Sequence, residues 1–537
     1  MRTHAWHLLL VLSALVLLAA APLPHVDSDA PLYSRIAENV LATGDWVTFH
    51  HPGWLVDKPP VVFWLMAASF RVLGVSDVTI RLWQLLLVLA LLAVTAAASR
   101  AAGGTRDEGV LAAIVLATSL QFFYQATVPQ QDVPLTLFLS TGVYAAVRYM
   151  EQGGAGWVAL IGAAVALAVL TKGLAGVALF GSVIVLAFPL VRRALPVRGS
   201  RLLAHVAWGA LVFAIVAAPW YVHGVIVHGE AFVKTFLTSG TLGIARFFRP
   251  AISTPPPYWL SLFAYVPLLF LGLLPWTPAF IVGLAGLPAA VRRGSTGLKI
   301  VVVWLLGMLL VLSVSSGDKV FRYLLPCYPP AAILAARALT GMFVDRRRLV
   351  AAAVMAVVPG VALIGAGFWS LWAAFPPERG LLAAVVLPTV VMIALGLVGF
   401  GVAAFAKRAR AAVAAAAVAA IIGYALFERG MLVHAASINP WPAMAHAAAP
   451  YTAESSRVVL YGRAGELFNF AHFYFDEPIV AISAAHELTA LWQRERVLVI
   501  MPVERFEDLA GLRPAPTVVM QSPARFLLIV NGSGAAP

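Results

Sequence analysis

A few acidic and basic residues stand out in a chain of 537 residues that is 61% hydrophobic and only 11% charged. Asp29 and Asp132, Lys58, Lys172 and Lys319, and Arg322 beside Tyr323 all fall in short polar stretches between long apolar runs. A carboxylate can take a proton from an attacking hydroxyl or amine. Lysine and arginine bind phosphate oxygens, arginine through paired hydrogen bonds. These residue types together suit group transfer from a phosphate-linked donor. The densest cluster is the stretch 24–77, with Asp27, Asp29, Arg35, Glu38, Asp45, His50, His51, Asp57 and Lys58. Ionisable groups at membrane depth are costly and commonly mark a pathway or a site.

Each residue also has a plainer reading. Asp29, ahead of Pro31, and Asp132, ahead of Pro134, both fit helix N-caps. Lys172 fits a lysine whose stem lies along apolar surface with its head in the interface. Tyr323 fits an interfacial aromatic. Arg246 and Arg249 suit contact with anionic headgroups, and His50 and His51 read as solvent-facing rather than as metal ligands. The argument for a site is collective: these groups share one side of the membrane.

That placement follows from the elements that carry them. A soluble domain is about 25% charged; this chain has a mean hydropathy of +0.89. Apolar runs long enough to cross a bilayer as helices, about 20 residues each, fall near 7–23, 78–98, 109–126, 133–150, 156–171, 173–190, 203–222, 259–283, 299–315, 321–340, 349–374, 381–405 and 411–427. The apolar segment 61–74 is shorter and suits an interfacial helix. The first run reads as a retained span rather than a cleaved signal peptide, and either choice puts the next loop outside.

Basic clusters test this topology. Arg100 and Arg106, Arg192 to Arg201, Arg292 to Lys299, Arg346 to Arg348, and Lys407 to Arg410 all follow even-numbered spans. Lys and Arg concentrate on the cytoplasmic side, so the N-terminus is expected in the cytoplasm and the C-terminus outside. The net charge of +13 then reflects orientation, not a nucleic-acid partner. The one cysteine, Cys327, excludes an internal disulfide and a cysteine-based zinc site.

After residue 427 the composition changes. Short apolar runs at 457–461, 478–482, 497–501, 517–520 and 526–530 predict strands, with helical stretches at 484–494 and 503–509. The expected architecture is a polytopic α-helical membrane protein of about 13 transmembrane helices. Residues 1–427 form its transmembrane part, with the first external loop at 24–77, and residues 428–537 a small external α/β domain.

Several motifs carry a resemblance. Asp29-Ala30-Pro31-Leu32-Tyr33-Ser34-Arg35-Ile36-Ala37-Glu38, Thr43-Gly44-Asp45-Trp46 and Asp57-Lys58-Pro59-Pro60 resemble the first periplasmic loop of bacterial GT-C glycosyltransferases. These are the enzymes related to the 4-amino-4-deoxy-L-arabinose lipid A transferases and the protein O-mannosyltransferases. Gln131-Asp132-Val133-Pro134, Leu170-Thr171-Lys172-Gly173, Ser315-Ser316-Gly317-Asp318-Lys319 and Arg322-Tyr323-Leu324-Leu325-Pro326 follow in the same order. The resemblance covers the membrane part; the tail matches only in general architecture.

The resemblance implies a GT-C fold in the bacterial inner membrane with a periplasmic active site. The implied donor is a polyprenyl (undecaprenyl) phosphate-linked sugar, and the implied acceptor is lipid A, another envelope glycan or a protein. Asp29 would be the base and Asp132 a supporting carboxylate. Lys58, Lys172, Lys319, Arg322 and Tyr323 would line the donor phosphate, with Tyr33, Arg35, Glu38 and Asp57 supporting the first loop. The implied reaction inverts the anomeric carbon.

Two departures matter. The aminoarabinose branch usually has Glu where Asp57 stands. It also carries a histidine, a potential ligand for a divalent metal, in the long loop where residues 249–259 here have none. His223 and His228 are the substitutes nearest in sequence, and the metal stays unknown. The competing readings are a multi-span transporter or lipid flippase, and a non-catalytic envelope protein. Transporters commonly show paired internal repeats with midplane charges; here no repeat is visible and the charges gather at one face.

Overall fold

The computed structural model describes residues 3–25, 29–51, 54–55, 58–238, 261–315, 319–373, 381–452, 457–462, 470–475 and 477–531. Asp57, Arg246, Arg249 and Asp318 lie outside the described residues. The chain divides into two compact units: Met1–Ala21, Asp45–Leu65 and Arg81–Glu428 in one, and Pro22–Gly44, Met66–Ile80 and Arg429–Pro537 in the other.

The first unit is helical. Among the described residues, seven helices are long and apolar enough to cross a membrane, eight if one bent pair counts as a single span. The chain is a multi-pass membrane protein. The bent pair, Arg106–Ala117 and Leu120–Thr127, turns through 65° where the sequence predicted one continuous run at 109–126. The break falls at Thr118 and Ser119. Their hydroxyls donate back to the carbonyls of Ile114 (2.6 Å) and Val115 (2.5 Å), which loosens the helical ladder.

Backbone groups freed inside a membrane must find partners in the protein, and here they do. The N–H of Leu120 donates to the Leu274 carbonyl at 3.0 Å. Tyr424 Oη donates to the Thr118 carbonyl at 2.8 Å, and Trp276 Nε1 to Thr118 Oγ1 at 2.9 Å. The Tyr424 ring stacks on Phe123 with centroids 3.9 Å apart. Helix contacts elsewhere depend on small residues. A Cβ on Gly162 would lie 2.2 Å from the carbonyl oxygen of Gly209, so the Ala155–Lys172 and Ser200–Val233 helices touch backbone to backbone.

The second unit contains the five-stranded sheet, in the order β4-β3-β5-β7-β6. Its strands are β3 (Arg457–Tyr461), β4 (Ile479–Ile482), β5 (Val497–Pro502), β6 (Pro516–Gln521) and β7 (Phe526–Asn531); a separate two-stranded hairpin, β1 (His50–His51) with β2 (Trp54–Leu55), belongs to the first unit. β3 pairs in parallel with β4 and β5, and β7 pairs antiparallel with β5 and β6. Alternation sorts the side chains. Val458, Leu460, Leu498 and Ile500 pack under Trp441 and Met444 of the Trp441–Thr452 helix. Val459, Tyr461, Val499 and Met501 pack under Leu488 and Trp492 of the Ala485–Arg494 helix. Both faces are covered, which is why the β5 run is apolar throughout. In the same unit, Asp77 accepts from Tyr474 Oη at 3.0 Å and lies 3.2 Å from His25 Nε2.

Candidate active site

Asp132 opens the Asp132–Gln152 helix. That helix ends at Gly153, left-handed with φ of 71°, and the next helix, Ala155–Lys172, returns beside it. Two antiparallel helices joined by so short a turn bring residue 132 and residue 172 to the same end. Gly173 (φ 61°, ψ −142°) then stops the second helix, a conformation open to glycine and strained for other residues. Gly176 lets the following helix close in, since a Cβ there would sit 2.8 Å from the carbonyl carbon of Ala168. Lys172 is thereby fixed at a helix end.

Its Nζ donates to Asp132 Oδ1 at 2.5 Å. Arg322 approaches from the Phe321–Cys327 turn, with Nε 3.8 Å from Asp132 Oδ2. The Tyr323 ring completes the group: Lys172 Nζ lies 4.3 Å and Arg322 Cζ 5.8 Å from its centroid. The Asp132 side chain is only 3% exposed and that of Lys172 16%, while Arg322 is 32% exposed. One carboxylate thus faces two cations over an aromatic ring. The N-cap position belongs to Gln131, which makes no side-chain capping bond, so the Asp132 carboxylate serves the cations instead.

The stretch leading to Asp132 is held by residues the sequence reading passed over. Gln84, fully buried, donates to the carbonyls of Gln125 (3.1 Å), Ala126 (3.0 Å) and Val128 (2.6 Å) and accepts from the N–H of Gln130 at 2.9 Å. Arg81 donates to the carbonyls of Thr127 at 2.9 Å and Ala21 at 3.3 Å. The available signal was an Arg and a Gln one turn apart in an otherwise apolar span.

Lys319 takes a different position. Its Nζ donates to the carbonyls of Leu312 (2.9 Å), Ser313 (2.8 Å) and Ser315, at the end of the Thr296–Val314 helix. These are carbonyls the helix cannot satisfy itself. The ammonium also lies 5.4 Å from the Tyr265 ring centroid, and burial pushes its pKa below the usual lysine range. Lys58 is half-buried, followed by buried Pro59 and Pro60 and the Val61–Leu73 helix. Just upstream, Asp45 Oδ1 accepts from the N–H groups of Val47 and Thr48, both at 2.9 Å.

The remaining expected residues belong to the second unit. Asp29 is the first residue of the Asp29–Thr43 helix and is half-buried. Tyr33 is buried in that helix, and Arg35 Nη1 donates to Glu38 Oε2 at 2.8 Å. Among the described residues no group of three or more His, Cys, Asp or Glu side chains is placed to hold a metal ion.

A profile described as dolichyl-phosphate-mannose-protein mannosyltransferase matches residues 57–223. The chain is 27% identical over 350 residues to an undecaprenyl phosphate-alpha-4-amino-4-deoxy-L-arabinose arabinosyl transferase of Aeromonas salmonicida, covering 63% of this chain and 60% of that one. It is 29% identical over 347 residues to the protein of the same description from Edwardsiella ictaluri, covering 62% of this chain and 58% of that one. The match therefore spans less than two thirds of these relatives. The crystal structure of ArnT from Cupriavidus metallidurans bound to undecaprenyl phosphate superposes over 100% of both chains, with a TM-score of 0.77 and 21% identity. An oligosaccharyltransferase from Archaeoglobus fulgidus gives 0.53 at 13% identity, over 94% of this chain and 70% of that one. The chain resembles the GT-C glycosyltransferases and shares their fold.

Proposed function

We propose that this chain is an inverting glycosyltransferase of the bacterial inner membrane. It moves a sugar from polyprenyl phosphate to an envelope acceptor, either a lipid such as lipid A or a protein. The N-terminus lies in the cytoplasm, and the external face carries the site and the 428–537 domain. One observation carries the reading: Lys172 and Arg322 gather on Asp132 beside the Tyr323 ring at one helix end. An anion is the natural ligand of such a group, and the relatives above are described as users of undecaprenyl phosphate donors.

The acceptor hydroxyl or amine attacks the anomeric carbon, and its proton passes to the carboxylate assigned as base from the first-loop motif, Asp29. The bond from that carbon to the phosphate oxygen breaks, and its electron pair leaves with polyprenyl phosphate. Lys172, Arg322 and Lys58 stabilise the charge that grows on the departing phosphate. Asp132 orients the first two. Lys319, occupied by three carbonyls, braces the segment that carries Arg322 and Tyr323.

The test uses purified protein and polyprenyl phosphate bearing a radiolabelled sugar, with envelope lipid or protein as acceptor. Label should move to acceptor with release of polyprenyl phosphate, and Asp29→Asn should abolish the transfer. Movement of the intact donor across proteoliposomes with no cleavage would overturn the proposal in favour of a flippase.

A further inference from the structure

We infer that the Ser200–Val233 helix is a positioning element for Lys58, acting through Trp220 and His228 on the segment 46–49. The inference rests on the proposed role of Lys58 at the donor phosphate. The segment that leads to Lys58 runs from Asp45 by way of the short hairpin toward the Val61–Leu73 helix. It is pinned from two sides within the first unit.

On its own side, Trp64 Nε1 donates to the Trp46 carbonyl at 2.7 Å and Phe63 meets Phe49 with ring centroids 4.8 Å apart. These contacts close the segment 46–64 into a loop with Lys58 inside it. From the Ser200–Val233 helix, Trp220 Nε1 donates to the Val47 carbonyl at 3.1 Å, and His228 Nε2 lies 3.2 Å from Thr48 Oγ1. Two neighbouring residues, Val47 and Thr48, are thus tied to one helix.

The helix is shaped for the task. Gly229 (φ 54°, ψ −129°) breaks it and folds its end back, which brings Phe232 and Phe236 onto Trp220, each with centroids 5.1 Å from the indole. Gly224 makes room, since a Cβ there would lie 2.2 Å from Phe232 Cε2. The indole, 5% exposed, is wedged by its neighbours with its N–H aimed at the Val47 carbonyl. Packing alone would not require a polar edge so directed. A buried N–H held in place makes a defined attachment point, and a free carbonyl there would let the loop drift.

Trp220→Phe keeps the ring and removes the N–H. Lys58 is probed by its rate of acylation with an amine-reactive reagent in the detergent-solubilised protein, followed by proteolysis and mass spectrometry of the peptide that contains Lys58. The variant should label at Lys58 about five to ten times faster than the parent, the change expected for one lost hydrogen bond. Its KM for donor should rise by a similar factor, with kcat at saturating donor within about twofold. Thr48→Val should act in the same direction. An unchanged labelling rate in both variants overturns the inference. Lys58→Ala tests the underlying reading separately: if it leaves donor KM unaltered, the phosphate role falls while the labelling result still decides whether the helix positions Lys58.

Discussion

Lys172→Met is the most demanding test of the Asp132 cluster. The ammonium is 2.5 Å from Asp132 Oδ1 and the carboxylate is 3% exposed, so solvent does little to screen the pair. Methionine fills the space of the lysine stem, and packing changes little. What changes is charge: among the described residues a buried carboxylate keeps only Arg322, whose Nε is 3.8 Å away and outside hydrogen-bond range. Breaking a buried pair costs about 3–5 kcal/mol, and the residual attraction of Arg322 points to the low end, about 3 kcal/mol. That corresponds to a factor of roughly 150 in a folding equilibrium.

Adding Asp132→Leu to Lys172→Met removes the stranded charge and should recover most of the loss, without recovering sugar transfer. The assay is the fraction of detergent-solubilised protein that stays monodisperse after heating. Equal losses in the single and double variants would refute the reasoning.

Gln84→Leu should strip partners from three carbonyls and one N–H around residues 125–130. A loss of about 2–4 kcal/mol of stability, read by the same heating assay, should come with at least a tenfold drop in kcat as Asp132 loosens. Lys319→Met should weaken the end of the Thr296–Val314 helix by about 1–3 kcal/mol while donor KM moves less than in Lys58→Ala; a larger KM effect than Lys58→Ala would mean that Lys319 binds the phosphate itself. Gly162→Val should force apart two helices that touch at Gly209 and cost at least about 1–3 kcal/mol, seen as aggregation on mild heating.

Much of the architecture was legible because it is written in local patterns. Arg457–Tyr461 is a strand with the bounds its apolar run predicts, and the two-faced burial of β5 is visible as an unbroken apolar run. The motif residues were legible as types. Their pairings were not, because a pairing depends on which helix ends meet. Asp132 had two readings, cap or carboxylate partner, and only the return of the Ala155–Lys172 helix separates them. Arg81 was invisible for another reason. Counting basic residues for topology treats arginine as a marker of sidedness, whereas this one spends its guanidinium on a carbonyl 46 residues away. The break at Thr118 and Ser119 was hidden because two hydroxyl residues hardly interrupt an apolar run, although each can bond back to its own helix.

The carboxylate at the centre of the cation group has a physical rationale beyond orientation. A sugar attached to polyprenyl phosphate is a phosphodiester with one negative charge. When the glycosidic bond breaks, the phosphate becomes a monoester carrying about −1.5 to −2. Cations therefore attract the transition state and product more than the donor, which is the direction that accelerates the reaction. Taken too far, the same attraction holds the product. In the proposed mechanism Asp132 would offset part of the charge presented by Lys172 and Arg322, and its close contact with Lys172 would give the ammonium a place to return to when the phosphate departs. Asp132→Asn should then bind free polyprenyl phosphate more tightly than the parent while turning over more slowly. Weaker product binding in that variant would mean that the carboxylate acts only by holding the two cations in place.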